Sequence, residues 1–246
     1  MTAGTLWLLP TTLGGDQVAE VIPEAILDRI RQLRCFLAEA PKSARAFLKL
    51  ARHPGPIASL RIECLTNDTK PEELAAMIDI LRGGIDAGVL SEAGCPAIAD
   101  PGATLVRLAH AAGIRVAPLT GPSSITLALM ASGLETQRFA FHGYLPIKEP
   151  ARGRAIKNYE ARSQSERETQ IFIETPYRNK SLLAALINTC HAGTLLCLAC
   201  DLTLPTEMIA TLSVAAWRER TVDLDGRPCV FLLLSQAELA RNQHAR

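Results

Sequence analysis

Short apolar runs alternate with stretches that place apolar residues every three or four positions, and this alternation limits the possible folds more than any other feature of the chain. Strands are expected at 5–9, 35–38, 61–65, 88–91 and 115–118, with helices near 23–31, 44–51, 72–81 and 102–112 between them. A strand–helix repeat of this kind builds a largely parallel sheet covered on both faces. The second half places strands at 139–142, 170–173, 194–200, 207–212 and 229–234. The last of these follow one another with little helix between them, so the second sheet is expected to be mixed. The turn Thr120-Gly121-Pro122 links the halves, which predicts an α/β protein of two domains, 1–120 and 121–246. With 48% of 246 residues apolar, each half has material for a substantial core.

The segment Ser91-Glu92-Ala93-Gly94-Cys95-Pro96-Ala97-Ile98-Ala99-Asp100-Pro101-Gly102 reads as a binding loop. Ala93, Gly94, Ala97 and Ala99 let a ligand come close to the backbone, while Pro96 and Pro101 lower the entropy cost of ordering the loop. Asp100 is expected to cap the following helix, with Pro101 at its first position and Gly113 as its stop. Open α/β sheets bind ligands where a strand passes through such a loop into a helix. The segment Thr120-Gly121-Pro122-Ser123-Ser124 repeats the device, with Ser123 or Ser124 capping a helix through Leu127 and Met130 to Gly133. Neither loop has the G-x-x-x-x-G-K or G-x-G-x-x-G spacing of a phosphate loop.

Charge and cysteine content exclude several classes. A formal net charge of +1 gives no global electrostatic case for nucleic-acid binding. A local case rests on Arg152, Arg154, Lys157, Arg162 and Arg167, interleaved with Glu160, Glu166 and Glu168, which read equally as a solvated helix face. The seven cysteines are odd in number and lie in apolar surroundings, and the N-terminus carries no export signal, so a reduced, cytoplasmic protein without membrane spans is expected. Cys197 and Cys200 match C-x-x-C, but on a strand these positions point to opposite faces, so no metal site is expected.

Five ordered blocks carry a family resemblance: Gly4-Thr5-Leu6-Trp7 to Gly14, Ser91 to Gly102, Pro118 to Ser124, Gly143-Tyr144-Leu145-Pro146, and Ile171-Phe172-Ile173-Glu174-Thr175-Pro176-Tyr177-Arg178. Together they resemble the tetrapyrrole methylase superfamily of S-adenosylmethionine-dependent methyltransferases, and within it the ribosomal RNA small-subunit methyltransferase I group. The resemblance implies two α/β domains with S-adenosyl-L-methionine in the cleft between them, usually in a homodimer, and ribosomal RNA or the small ribosomal subunit as partner. It implies donor contacts at Leu13, at Gly94, Cys95 and Ile98, at Ser123 and Ser124, and near the backbone of Glu174.

The chain also departs from that pattern. Glu39-Ala40-Pro41-Lys42 stands where the group tends to have an acidic pair followed by Thr-Arg, Gly15-Asp16 stands where Asn-Leu is usual, and the usual short C-terminal extension is absent. Three readings of function follow: methylation of a ribosomal RNA ribose 2′-hydroxyl, methylation of a small tetrapyrrole-like molecule, or regulation by a non-catalytic donor-binding module.

The sulfonium of the donor is already activated, so the protein must mainly align nucleophile, methyl and sulfur, and no metal is required. A hydroxyl nucleophile needs a base, and a cation can steady the developing alkoxide. Glu39, Glu92, Asp100 and Glu174 end strands and are the candidate bases. Arg178 either binds an RNA phosphate or pairs with Glu174, and His142 and Tyr144 either stack on a base or pack against the sheet.

Overall fold

Continuous burial along β-strands whose alternate side chains point to opposite faces dictates a sheet with a core on each face. The computed structural model describes residues 2–235. Its first unit holds strands β1 (Leu6–Leu9), β2 (Cys35–Ala38), β3 (Arg61–Cys64), β4 (Ala87–Leu90) and β5 (Val116–Pro118). Between them run helices α1 (Val18–Val21), α2 (Glu24–Gln32), α3 (Pro41–Leu50), α4 (Pro71–Arg82) and α5 (Ala103–Ala111). On β2, Cys35 and Leu37 join a core with Leu81, Val89 and Leu105. Phe36 and Ala38 point the other way, into a core with Leu9, Ile30, Leu48 and Leu90. Burying side chains of this size is worth about 1.5–3 kcal/mol each.

The strand order is β3-β2-β4-β1-β5, and every pairing is parallel. Parallel strands put all their carboxyl ends on one edge. The loops after Leu9, Ala38, Leu90 and Pro118 therefore emerge together, which is where sheets of this kind collect ligands.

The second unit begins with α6 (Ser124–Ser132). It continues through β6 (Phe139–Tyr144), α7 (Ala151–Glu166), β7 (Thr169–Glu174), α8 (Asn179–Thr189), β8 (Leu195–Cys200), β9 (Met208–Ser213), α9 (Val214–Arg218) and β10 (Cys229–Leu234). The order is β6-β7-β10-β8-β9; β6 and β7 are parallel and the other pairings antiparallel, so this sheet is mixed, as expected. Its core gathers Ile156, Phe172, Leu186, Leu196, Trp217 and Phe231. The Trp217 indole donates to the Leu196 carbonyl at 2.8 Å, which satisfies the one polar atom of a buried ring.

Two long helices, α7 and α8, separate β6, β7 and β8; α7 carries the basic stretch that reads equally as a solvated helix face, and α8 had no expected counterpart. On α7 the buried residues are Ile156 and Ser163 alone, so its sequence shows almost no apolar stripe. On β8, Cys200 lies opposite Cys229 of β10, with 2.7 Å between the sulfurs, while Cys197 pairs with Leu232 in the same ladder. Among the described residues no group of three or more His, Cys, Asp or Glu is placed to hold a metal ion. None of the described helices is long and apolar enough to cross a membrane.

Candidate functional site

Three loops are knitted together at the carboxyl edge of the first sheet. The Thr11 amide donates to the Gly94 carbonyl at 2.9 Å, and the Gly94 amide returns a bond to the Thr12 carbonyl at 3.3 Å. The Cys95 thiol reaches across to donate to the Pro122 carbonyl at 3.5 Å. Gly94 has φ +71°, and a Cβ there would lie 3.1 Å from Leu13 Cδ2 and 3.5 Å from the Pro122 oxygen. Leu13, Gly94 and Cys95, expected at one site, are thus brought together, and Thr11 and Pro122 join them through backbone groups that residue type does not reveal.

The loop after β4 is strained along its length. Besides Gly94, Gly102 adopts φ +134° and both Ala97 and Ala99 adopt φ +65°. A non-glycine residue held there costs about 1–3 kcal/mol and persists only where its surroundings over-determine it, as they do at ligand sites. These turns also relocate Asp100, whose expected role as helix cap is corrected. Helix α5 starts at Ala103, with Gly102 at its N-cap position and no side-chain cap bond. The Asp100 carboxyl instead lies beside the Ser91 side chain, whose hydroxyl donates to the Ala93 carbonyl at 3.2 Å.

Beside this loop is a cavity of about 340 Å³ lined by Leu8, Cys95, Pro96, Ala97, Ile98, Ala103, Val106, Pro118 and Leu119. Its walls are almost wholly apolar, and Ile98 on its rim is half exposed at 51%. Burial pushes the Cys95 thiol pKa up, so this cysteine packs as a neutral, weakly donating side chain.

Glu39, Glu92 and Asp100 form a carboxylate cluster at the ends of β2 and β4. Glu39 Oε2 accepts the Glu92 amide at 3.4 Å, and Glu92 Oε1 accepts the Ser43 hydroxyl at 3.1 Å. Desolvation, then the charges of Glu39 and Glu92, push the Asp100 carboxyl up to about 6, against the opposing effect of the Ser91 side chain. Burial, followed by the nearby Glu92 charge, raises Glu39 as well, and the Glu92 amide works against both. Ala40 takes the N-cap position of α3 without a side-chain bond, and Pro41 opens the helix.

In the second unit Glu174 and Arg178 pair with each other. Arg178 donates from Nη2 and Nε to Glu174 Oε1 at 2.6 and 2.9 Å, and the Thr175 amide adds a third bond at 2.8 Å. The Glu174 side chain is only 3% exposed, so its Oε1 is occupied by structural donors. His142 packs inward: its ring lies 3.9 Å from that of Tyr159, its Nε2 meets Gln170 Oε1 at 2.7 Å, and burial lowers its pKa. Tyr144 and Tyr177 point outward, 55% and 74% exposed, and Tyr177 carried no separate expectation from the sequence. Ser123 ends the first unit and Ser124 opens α6 in the second.

Comparison with known proteins gives this geometry its family. Residues 17–216 match the model described as Tetrapyrrole (Corrin/Porphyrin) Methylases. The chain is 35% identical over 218 residues to Ribosomal RNA small subunit methyltransferase I of Pseudomonas aeruginosa, covering 87% of this chain and 72% of that protein. It is 32% identical over 206 residues to the protein of the same name from Escherichia coli O157:H7, covering 84% and 68%. Crystal structures of diphthine synthase (TM-score 0.64, 11% identity, 94% and 90% covered) and of the methyltransferase CobJ (TM-score 0.61, 18% identity, 96% and 95% covered) share the fold. The chain belongs to the tetrapyrrole (corrin/porphyrin) methylase family and is a methyltransferase.

Proposed function

We propose that the protein transfers the methyl group of S-adenosyl-L-methionine to a ribose 2′-hydroxyl of small-subunit ribosomal RNA. The observation that carries the donor assignment is the three-loop knot at Gly94 beside the apolar cavity of about 340 Å³. Such a cavity suits the flat adenosyl part of the donor, and the absent side chain at Gly94 lets Leu13 and Pro122 close against the loop that borders it. Leu13, Gly94, Cys95, Ile98, Ser123, Ser124 and the backbone at Glu174 are the residues assigned to it, with Leu13, Cys95 and Ile98 acting by shape. When bound, the donor supplies an already activated methyl group.

The remaining task for the chain is to place the hydroxyl and take its proton. Asp100 is assigned as proton acceptor, because a carboxyl near 6 is ionised at neutral pH yet basic enough to share a proton. Glu39 and Glu92 are assigned to hold it there, and Ser91 to orient it. Arg178, fixed by Glu174, is assigned to the acceptor phosphate; Glu174 positions the guanidinium and does not itself take the proton. The ribosomal substrate is supported by the relatives named as ribosomal RNA methyltransferases.

Nucleoside composition of ribosomal RNA tests this reading in cells. A strain lacking the protein is expected to lose one 2′-O-methylnucleoside that returns on re-expression; identical profiles in both strains overturn it.

A further inference from the structure

The second unit presents a surface of which the assigned chemistry uses Arg178 alone. Strands β6 and β7 are parallel, and each is followed by a helix running back, so the starts of α7 and α8 lie beside the carboxyl ends of both strands. The Arg152 guanidinium, donating to the Ser181 hydroxyl at 2.9 Å, ties the two helix starts together. At this end stand Tyr144, Tyr177 and Arg178. The β6–β7 register slips between Phe141 and Tyr144, which changes the direction of the strand just before Tyr144.

Only three tyrosines occur in the chain, and two of them are the exposed pair here. The third, Tyr159, is used inside, against His142 and Phe172. The Arg178 guanidinium lies 5.5 Å from the Tyr177 ring centroid and is held by Glu174, so ring and cation form one prearranged platform. The outward face of α7 carries Arg154, Lys157, Asn158, Ala161, Gln164 and Ser165, and of the two carboxylates flanking it Glu160 accepts from the His191 amide while the exposed Glu166 is paired with Arg138. Neither Arg154 nor Lys157 makes an ion pair among the described residues, whereas Glu149 is taken by Arg152 and Lys180 by Asp223. The acidic residues further along, Glu166 and Glu168, are bridged to Arg138 and Arg162.

We infer that this end of the second unit is a docking surface for single-stranded RNA, with Tyr177 as a stacking platform for a base and Arg154 and Lys157 as phosphate contacts. Exposed aromatic rings offer a face to every base, and unpaired cations on a helix face whose nearby carboxylates are already engaged follow a phosphate backbone. A duplex hides its base faces and offers nothing for Tyr177 to stack on. The inference rests on the ribosomal RNA reading and deepens it, because it names the form of RNA that the second unit takes.

Anisotropy titration of a labelled single-stranded RNA of about twelve nucleotides, with the same strand annealed to its complement as control, tests this surface. The single strand is expected to bind more tightly than the duplex. Tyr177→Ala is expected to weaken the single strand about ten- to hundredfold, and Tyr177→Phe to keep its affinity. Arg154→Ala with Lys157→Ala is expected to lower the slope of log affinity against log salt by about 1.4, near 0.7 for each phosphate contact. Equal binding of duplex and single strand, or unchanged affinity in Tyr177→Ala, overturns the inference.

Methyl transfer to isolated small ribosomal subunits separates this surface from the reaction itself. If the wild type methylates the RNA and all three variants keep its KM for the subunit, the surface is wrong and the function stands. If the wild type binds the single strand through these residues but transfers no methyl to ribosomal RNA, the function is wrong and the surface stands.

Discussion

The Cys95 thiol donates to the Pro122 carbonyl at 3.5 Å, fastening the loop after β4 to the turn after β5. With the two-way bonding between Gly94 and Thr11-Thr12, this contact gathers three loops from distant parts of the chain at one sheet edge. The loops are separately ordinary; their joint closure beside an apolar cavity is what supports the donor assignment.

Gly94 takes a side chain only under strain. Gly94→Val places a branched side chain at φ +71° and against Leu13 Cδ2, so S-adenosylhomocysteine affinity measured by calorimetry is expected to fall more than about 100-fold. The folded state is expected to survive, with a loss of about 1–3 kcal/mol. Unchanged affinity contradicts the assignment of this loop.

Thiol chemistry maps the same site. Cys64 is exposed, Cys95 is partly exposed and the other five cysteines are buried, so a thiol reagent is expected to modify Cys64 first and Cys95 slowly. Saturating S-adenosylhomocysteine is expected to protect Cys95 and leave the rate at Cys64 unchanged, as read by mass spectrometry. Equal rates at Cys95 with and without ligand contradict a donor pocket there.

Asp100 predicts opposite pH trends for activity and stability. Its carboxyl rises from an ordinary 3.8 to about 6 in the fold, so between those values the folded protein holds a proton that the unfolded chain has lost. Its contribution to stability is therefore complete below about 3.8 and lost as pH climbs through about 6. Activity is expected to rise over the upper part of that window as the base ionises. Asp100→Asn is expected to lower kcat by about 10²–10⁴, abolish the inflection near pH 6, and flatten the fall in melting temperature with pH. A pH–rate inflection that persists in Asp100→Asn removes Asp100 as the base.

Arg178→Ala removes the guanidinium assigned to the acceptor and also strips a buried carboxylate of its partner. The KM for small ribosomal subunits is expected to rise about tenfold or more with little change in S-adenosylhomocysteine affinity. Adding Glu174→Gln is expected to recover stability without recovering KM. A selective loss of donor affinity contradicts the acceptor role.

The strands were legible where burial on both faces leaves a continuous apolar run. Cys35–Ala38 and Cys229–Leu234 coincide with their expected limits for that reason. Helix α7 was legible only as a solvated face rich in basic residues, because it buries so few of its own; which carboxylates neutralise those residues was not visible. Asp100 was misread because Asp-Pro is a sound local capping signal, and positive φ at Ala97, Ala99 and Gly102 carries the side chain away from the helix axis. The sequence left Arg178 open between Glu174 and phosphate; the geometry pairs it with Glu174 and leaves 24% of its side chain exposed. Contacts such as Thr11 with Gly94 rest on backbone groups, which every residue carries alike.

Transfer of labelled methyl from S-adenosylmethionine to isolated small ribosomal subunits tests the central claim most directly. The account predicts label in the ribosomal RNA, released by nuclease digestion as a 2′-O-methylnucleoside, and none with Asp100→Asn. Tight S-adenosylhomocysteine binding by the wild type with no label in that RNA contradicts it.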